Sequence, residues 1–370
     1  MKKDYSINKI MVFAGSYVAT IIGSGFATGQ EIMQFFSFYG LAGLMGAVVS
    51  LIIFAFLGAE SLERGRLVKP KDSMKIYTLY TGKYVGKFLD YFVPFFLFGV
   101  FVVMISGAGA TLSEYYGLNP YIGRVGMAII SLVSVFFGLD KLSGILGKIG
   151  PIIIVFTIFV GVVGLVNNFQ YIPESIEFLK TAQLSKPAPN AIFSGVLYAS
   201  YNVIIIIGFL ASLGGTTENR KDAILGGLLG AFSLMLAATV MFLAIFSRAE
   251  VLFAKSIPTL VIADGISPIV GKVFSIVLIM GIYSTAAPLL WQCSNRFSED
   301  GSKKFKVSAI IITVLGLLGG LLPFDKLVGT IYPYTGYLGI VVILMVCYKV
   351  FSLKKSGKTG KDEMEKIESR

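Results

Sequence analysis

Apolar residues run along this chain in blocks of about twenty, separated by short polar stretches. Blocks of that length suit α-helices crossing a hydrocarbon core of roughly 30 Å. Barrel strands would alternate in character over about ten residues. Runs such as Pro151 to Val166 and Ala309 to Leu322 show no alternation, so the pattern predicts helices. Spans are expected at 9–38, 41–63, 88–112, 120–139, 144–167, 188–213, 222–247, 268–293, 305–322 and 327–351. The first block has no clear cleavage site and exceeds a secretory apolar core of about 7–15 residues, so it reads as a retained span. Residues 64–87 are basic, with room for a short amphipathic helix. Residues 248–267 have room for a short covering helix between the seventh and eighth spans. The fold class expected is all-α and transmembrane, with about ten helices. One transporter domain covers 1–351, in two halves at about 9–167 and 188–351. A Lys- and Glu-rich tail, 352–370, is expected to be solvated and disordered.

Composition agrees with a lipid-facing surface. Hydrophobic residues make up 55% of the chain and charged residues 14%, against about 25% charged in soluble domains. The mean hydropathy is +0.79. The net charge of +11 comes from topology signals rather than from a nucleic-acid footprint. Of the 32 Lys and Arg residues, 25 fall on one side of the expected spans and seven on the other. The rule that basic loops stay inside puts both termini in the cytoplasm of a cell whose inner membrane the chain spans. There is no histidine, which removes the usual zinc ligand and neutral-pH proton shuttle. Cys293 and Cys347 are far apart in sequence and imply no disulfide framework. No nucleotide loop, catalytic carboxylate pair or nucleophile elbow stands out, so neither an enzyme nor a self-contained ATP-driven pump is expected.

The densest chemistry lies in the first span. Gly23-Ser24-Gly25-Phe26-Ala27-Thr28-Gly29-Gln30-Glu31 carries three glycines, two hydroxyls, an amide and a carboxylate at membrane depth. Each glycine costs a helix about 1 kcal/mol relative to alanine, so a helix break is expected. Its use is electrostatic. The half after the break, from Gly23 to Phe26, offers free N–H groups to a solute carboxylate. The half before it, Ala19 to Ile22, offers free carbonyls to a cation. Gly25 and Gly29 equally suit close helix packing. An ionised Glu31 costs roughly 2.5–3.5 kcal/mol at membrane depth, so it needs a partner or a wet cavity; it can also simply complement the following half-helix. Thr28 belongs to the same group.

A second break is expected in the sixth span around Ser200, Tyr201 and Asn202, polar residues inside an apolar run. A neighbouring helix is the alternative partner for them. In the eighth span, Ser284 and Thr285 before Pro288 have the hydroxyls to join the carbonyls of Ala19 and Ile22 around sodium, or to bond back to their own helix. Ser106, with Gly107 and Gly109 in the third span, offers a small-residue face for a cavity or for packing. Interrupted helices at matching places in two halves are the best sequence pointer to a transporter site, and five spans per half make an inverted repeat.

From Gly23 to Glu31, and over nearly the whole chain, the sequence resembles the bacterial YkvI-type membrane transporters. More distantly it is similar to the amino acid–polyamine–organocation superfamily with its leucine-transporter (LeuT) fold. That resemblance implies a five-plus-five inverted repeat, a central site between spans one, three, six and eight, and alternating access. The sixth span lacks the glycine-containing break of amino acid transporters. No lysine lies mid-membrane in the fifth span, where some proton-coupled relatives place one; Lys148 is near the cytoplasmic end. This tilts the expected coupling cation toward sodium. The expected function is a sodium- or proton-coupled symporter of an amino acid or similar small polar solute. A solute sensor on the same scaffold, similar in kind to spore germinant receptor subunits, and a passive channel are the alternatives.

Overall fold

The computed structural model describes residues 5–22, 24–72, 74–137, 139–298 and 300–369, with the side chains of Ser24 and of 139–151 outside that description. Three residues from the sequence reading fall there: Gly23, and Ser24 and Lys148 as regards their side chains. Among the described residues every element is helical. That follows from the solvent, because lipid supplies no partner for backbone groups and a helix satisfies its own.

The first span comprises three pieces: α1 (Ile7–Ile21), α2 (Ser24–Thr28) and α3 (Gln30–Phe35). Then follow α4 (Gly43–Val68), α5 (Lys75–Tyr116), α6 (Pro120–Phe136) and α7 (Leu139–Asn168). A surface helix, α8 (Ile172–Thr181), leads to α9 (Ala191–Gly214) and α10 (Arg220–Phe246). Two short pieces, α11 (Ala249–Leu252) and α12 (Pro258–Ile266), cover the bundle before α13 (Pro268–Asn295), α14 (Lys303–Gly319), α15 (Phe324–Ser356) and α16 (Lys361–Glu368). Among the described residues, seven helices are long and apolar enough to cross a membrane by themselves. The α1–α3 segment, α6 and α14 fill out the expected ten passes. This is a multi-pass membrane protein.

The helices sort into two packed groups. One holds α1, α4, α9 and α10; the other holds α5, α6, α13 and α14. Between them, α7 packs on α10 and α13, while α15 packs on α9 and α5. In the first group α4 and α9 touch along their length. A side chain at Gly46 would meet the Ala191 carbonyl, and one at Gly195 would meet the backbone of Gly46. Small residues let membrane helices approach this closely, where packing and not water drives association.

The structure departs from the sequence reading in two places. The sixth span, α9, is one continuous helix over Ala191–Gly214. No glycine stands between Gly195 and Gly208, and the polar residues need no unwinding. The Ser200 hydroxyl donates to the Val196 carbonyl (2.6 Å) and the Asn202 amide to the Tyr198 carbonyl (2.9 Å), each one turn back. The tail is largely exposed, as expected, but it is helical and not disordered. Helix α15 runs on to Ser356, and α16 docks against α5 with Met364 buried. Arg64 on α4 donates to the Thr359 carbonyl in the connecting turn. The expected covering helix in 248–267 is present as α11 and α12. The expected short helix in 64–87 is the first part of α5, set off by a non-helical Gly82.

Both chain ends lie on one face. The Ser6 amide donates to Asp222 at the start of α10 (2.8 Å), and α16 packs on α4 and α5 nearby.

Candidate functional site: a broken helix between a cavity and a barrier

Helix α1 stops at Ile21, where the cap N–H of Ile22 bonds the Val18 carbonyl. Helix α2 starts at Ser24, and Gly29 (φ 78°) separates it from α3. A positive φ is strained for residues with a Cβ, so glycine is needed there. The first span is broken, as its sequence indicated.

Below the break lies a cavity of about 770 Å³. It is lined from α1 by Ala19, Thr20 and Ile22, from α5 by Leu97 and Val100, and from α13 by Ser284, Thr285 and Gln292. A second cavity of about 640 Å³ shares Thr20, Leu97, Ile205 and Gln292 and extends past Asn295 and Arg296. The four residues expected around sodium therefore border one space. Ser284 and Thr285 hydroxyls both donate to the Gly281 carbonyl (2.8 and 3.3 Å), leaving their oxygen lone pairs for another partner. Carbonyls at the end of α1 have no next turn to bond. A set of neutral oxygens of this kind fits a monovalent cation. Among the described residues no His, Cys, Asp and Glu cluster suits a transition metal.

Above the break the space closes. Glu31 is buried, and its carboxylate accepts the Tyr201 hydroxyl (2.6 Å) from α9. Tyr332 of α15 stacks on Tyr201, with centroids 4.8 Å apart and planes at 7°. Tyr198 stands edge-on to Tyr201 at 5.7 Å, and Phe35 leans on both phenols at 5.6 Å. The other carboxylate oxygen lies against Gly25, so a Cβ at Gly25 would collide with it. More bonds tie α2 and α3 to the covering elements. Thr259 of α12 donates to the Ala27 carbonyl (2.7 Å), Ser194 to the Phe35 carbonyl (2.7 Å) and Gln34 to the Asp325 carbonyl (2.9 Å). Beyond this layer a polar pocket of about 390 Å³ opens on the opposite face, lined by Gln30, Gln34, Ser256, Asp325 and Thr330. Glu31 and its phenols thus separate two spaces that reach opposite faces.

The remaining expected residues divide. Phe26 and Thr28 are buried, and the Thr28 hydroxyl bonds the Gly25 carbonyl (2.7 Å), bracing the short α2. Ser24 starts α2, with its side chain outside the described residues. Tyr201 joins the site. Ser200 and Asn202 serve their own helix. Ser106 does not line the cavity but donates to the Leu322 carbonyl before α15 (2.7 Å). Sequence reading missed Tyr198, Tyr332, Thr20 and Gln292. A phenol inside an apolar span is an ordinary packing residue until the fold shows it facing a carboxylate.

With this geometry in hand, comparison places the chain in a fold class. It has the LeuT fold, an inverted repeat of five helices. Among solved structures, MhsT in complex with L-phenylalanine matches with a TM-score of 0.61 at 17% identity, over 91% of this chain and 88% of that one. A substrate-bound, outward-open Na⁺-coupled sialic acid symporter matches at 0.60 and 12% identity, over 90% and 78%. Inward-facing Mhp1 matches at 0.56 and 16%, over 94% and 77%. At these identities the likeness shows the fold alone. In sequence, the chain is similar to the uncharacterized membrane protein YkvI of Bacillus subtilis (strain 168), 26% identical over 90% of this chain and 94% of that protein. It is similar also to the uncharacterized protein YyaD of the same organism, 26% identical over 92% and 96%. The resemblance to the YkvI-type proteins over nearly the whole chain is borne out by these two relatives. No protein-family model matches the chain.

Proposed function

We propose that this protein is a secondary active transporter of the inner membrane, a symporter that moves a small polar solute with a monovalent cation by alternating access. The observation that carries the proposal is the broken α1 held between an open cavity and a closed barrier. A channel needs a continuous path, and a packing defect needs no cavity. A carrier needs a site reachable from one side at a time, and this arrangement meets that need. The fold shared with a Na⁺-coupled symporter and with a protein that binds L-phenylalanine supports the same reading.

The roles follow from the chemistry. Carbonyls of Ala19 and Ile22, with the Ser284 and Thr285 hydroxyls, hold sodium at the cavity head. The solute binds beside the break at Gly25 and Phe26, within reach of Glu31. The asymmetry of basic residues puts the chain ends in the cytoplasm, so the conformation is inward-open. Outward opening separates α3 from α9 and α15, breaking the Glu31–Tyr201 bond.

Purified protein in liposomes tests this directly. Amino acids and amines are offered under an inward sodium gradient, an inward proton gradient, or neither. Solute accumulation against its own gradient, abolished when both ion gradients collapse, is expected. Equilibration that ignores both gradients would point to a channel, and binding without uptake would point to a sensor.

A further inference from the structure

We propose that the chain carries a binding site for one anionic phospholipid at the cytoplasmic end of α5, α15 and α16. The inference does not depend on the transported solute. A groove of about 970 Å³ lies between these helices. Its polar end presents Lys75, Lys83, Lys87, Lys349 and Lys366, against two acids, Asp90 and Glu363. Glu363 is engaged by Lys349. Lys75, Lys83, Lys87 and Lys366 have no ion pair among the described residues. The groove therefore keeps a net positive charge that the protein does not neutralise.

Its other end is apolar and points along the bilayer. Val341, Leu344, Met345 and Tyr348 recur at i, i+3, i+4 and i+7 on α15, which places them on one face leading away from Lys349. Leu344 is 64% exposed and Tyr348 75% exposed, on a helix long and apolar enough to cross a membrane. Tyr84 on α5 and Phe351 on α15, near the groove, are exposed aromatics, of the kind enriched where spans meet the headgroups. The non-helical Gly82 (φ 77°, ψ 177°) interrupts α5 here, between Lys75 on its first part and Lys83 and Lys87 on its second. Helix α16 closes the third side with Lys366 and Ile367.

Cations at one end and an uncovered hydrocarbon-facing strip at the other match a single amphiphile: a phosphate headgroup with an acyl chain. Basic pockets between helices on the cytoplasmic side recognise such lipids. Free phosphate would satisfy the lysines but leave the apolar strip bare, so a lipid is the better fit. Each lysine near the surface contributes roughly fivefold in affinity.

Native mass spectrometry of the full chain tests the proposal. Protein is released from detergent with phosphatidylglycerol or with phosphatidylcholine added at equal concentration. One phosphatidylglycerol retained in clear preference to phosphatidylcholine is expected. The Lys83→Gln/Lys87→Gln/Lys366→Gln variant should lose that preference on the order of a hundredfold. The control Lys303→Gln/Lys304→Gln/Lys306→Gln, in another cytoplasmic loop, should keep it. Equal retention of the two lipids, or equal loss in both variants, overturns the proposal. Displacement of the lipid by inorganic phosphate at matched concentration overturns the assignment to a lipid. Should the groove variant fail to fold, wild-type protein in nanodiscs decides: phosphatidylglycerol must raise its Tm over phosphatidylcholine alone at low salt, and an unchanged Tm overturns the site.

Discussion

Replacing Tyr201 by phenylalanine removes one hydroxyl and keeps the ring. The stack on Tyr332 at 4.8 Å and the contact with Phe35 both survive. What goes is the 2.6 Å bond to the buried Glu31 carboxylate. A hydrogen bond to a charged group is worth about 1.5–3 kcal/mol. In the alternating-access cycle proposed above, the inward-open state feels the loss in full, whereas in the outward-open state, where α3 has parted from α9, that bond is already broken. The substitution therefore lowers the inward-to-outward ratio by about ten- to a hundredfold, at tenfold per 1.4 kcal/mol. The chain supplies its own reporter. Trp291 is the single tryptophan, and it lines the second cavity, beside Gln292, Asn295 and Arg296. Acrylamide quenching of Trp291 in purified protein should fall in Tyr201→Phe, because the inner cavity closes as the outer one opens. Transport should slow, since the return step now climbs from a more populated outward state. Unchanged quenching with wild-type uptake would refute the idea that this phenol holds the barrier.

Other outcomes follow from the same geometry. Ser284→Ala with Thr285→Ala should erase stabilisation by sodium, which for a ligand at a hundred times its Kd amounts to about 2.7 kcal/mol; melting curves in sodium and in choline chloride, superimposable for the variant only, are the check. Glu31→Gln keeps the shape and removes the charge; in competition uptake it should favour carboxylate-bearing solutes over amino alcohols relative to wild type, and an unaltered ranking would separate Glu31 from solute recognition. Gly46→Val drives a side chain into the Ala191 carbonyl, and overpacking of this kind costs about 1–3 kcal/mol; a lower Tm with unchanged ion dependence is expected. Removing residues 357–370 uncovers the seat of Met364, a loss of about 1.5–3 kcal/mol, so the truncated chain should also melt earlier.

The first span was the most legible part of the chain because its signal is local. Glycines at 23, 25 and 29 weaken a helix wherever it is placed, and hydroxyls nearby offer the loosened backbone new partners. The hydroxyl pair Ser284–Thr285 was legible by chemistry but not by partner; only the fold brings it beside Ala19 and Ile22. The sixth span misled for a physical reason. Polar residues in an apolar helix mark a need for hydrogen bonds, and one turn back along the same helix meets that need for Ser200 and Asn202. Polarity alone predicts a break only where glycine removes the helix preference as well. Tyr332 was invisible because its role depends on a contact between spans one and ten. The tail was read as disordered from its charge, whereas Met364 and Ile367 fall on one side of α16, a pattern too short to weigh against so many lysines and glutamates.

The break in α1 also raises the question of which charge it receives. Sequence alone assigns the free N–H groups of Gly23 to Phe26 to a solute carboxylate. The fold brings a carboxylate of the protein's own to that place, since Glu31 lies against Gly25. Two like charges about 4 Å apart repel by about 4 kcal/mol at an effective dielectric of 20, whereas a helix terminus offers an anion about 0.3–1 kcal/mol, and up to about 2 when partly buried. Repulsion wins. An anionic group enters only if Glu31 takes up a proton or swings away, and a cationic or neutral group enters without either. Each of these events acts on the bond to Tyr201, which is the barrier on the opposite face. Under the proposed function, the charge of the solute and the position of the barrier are therefore read by one carboxylate, and coupling between binding and opening needs no relay through the rest of the bundle.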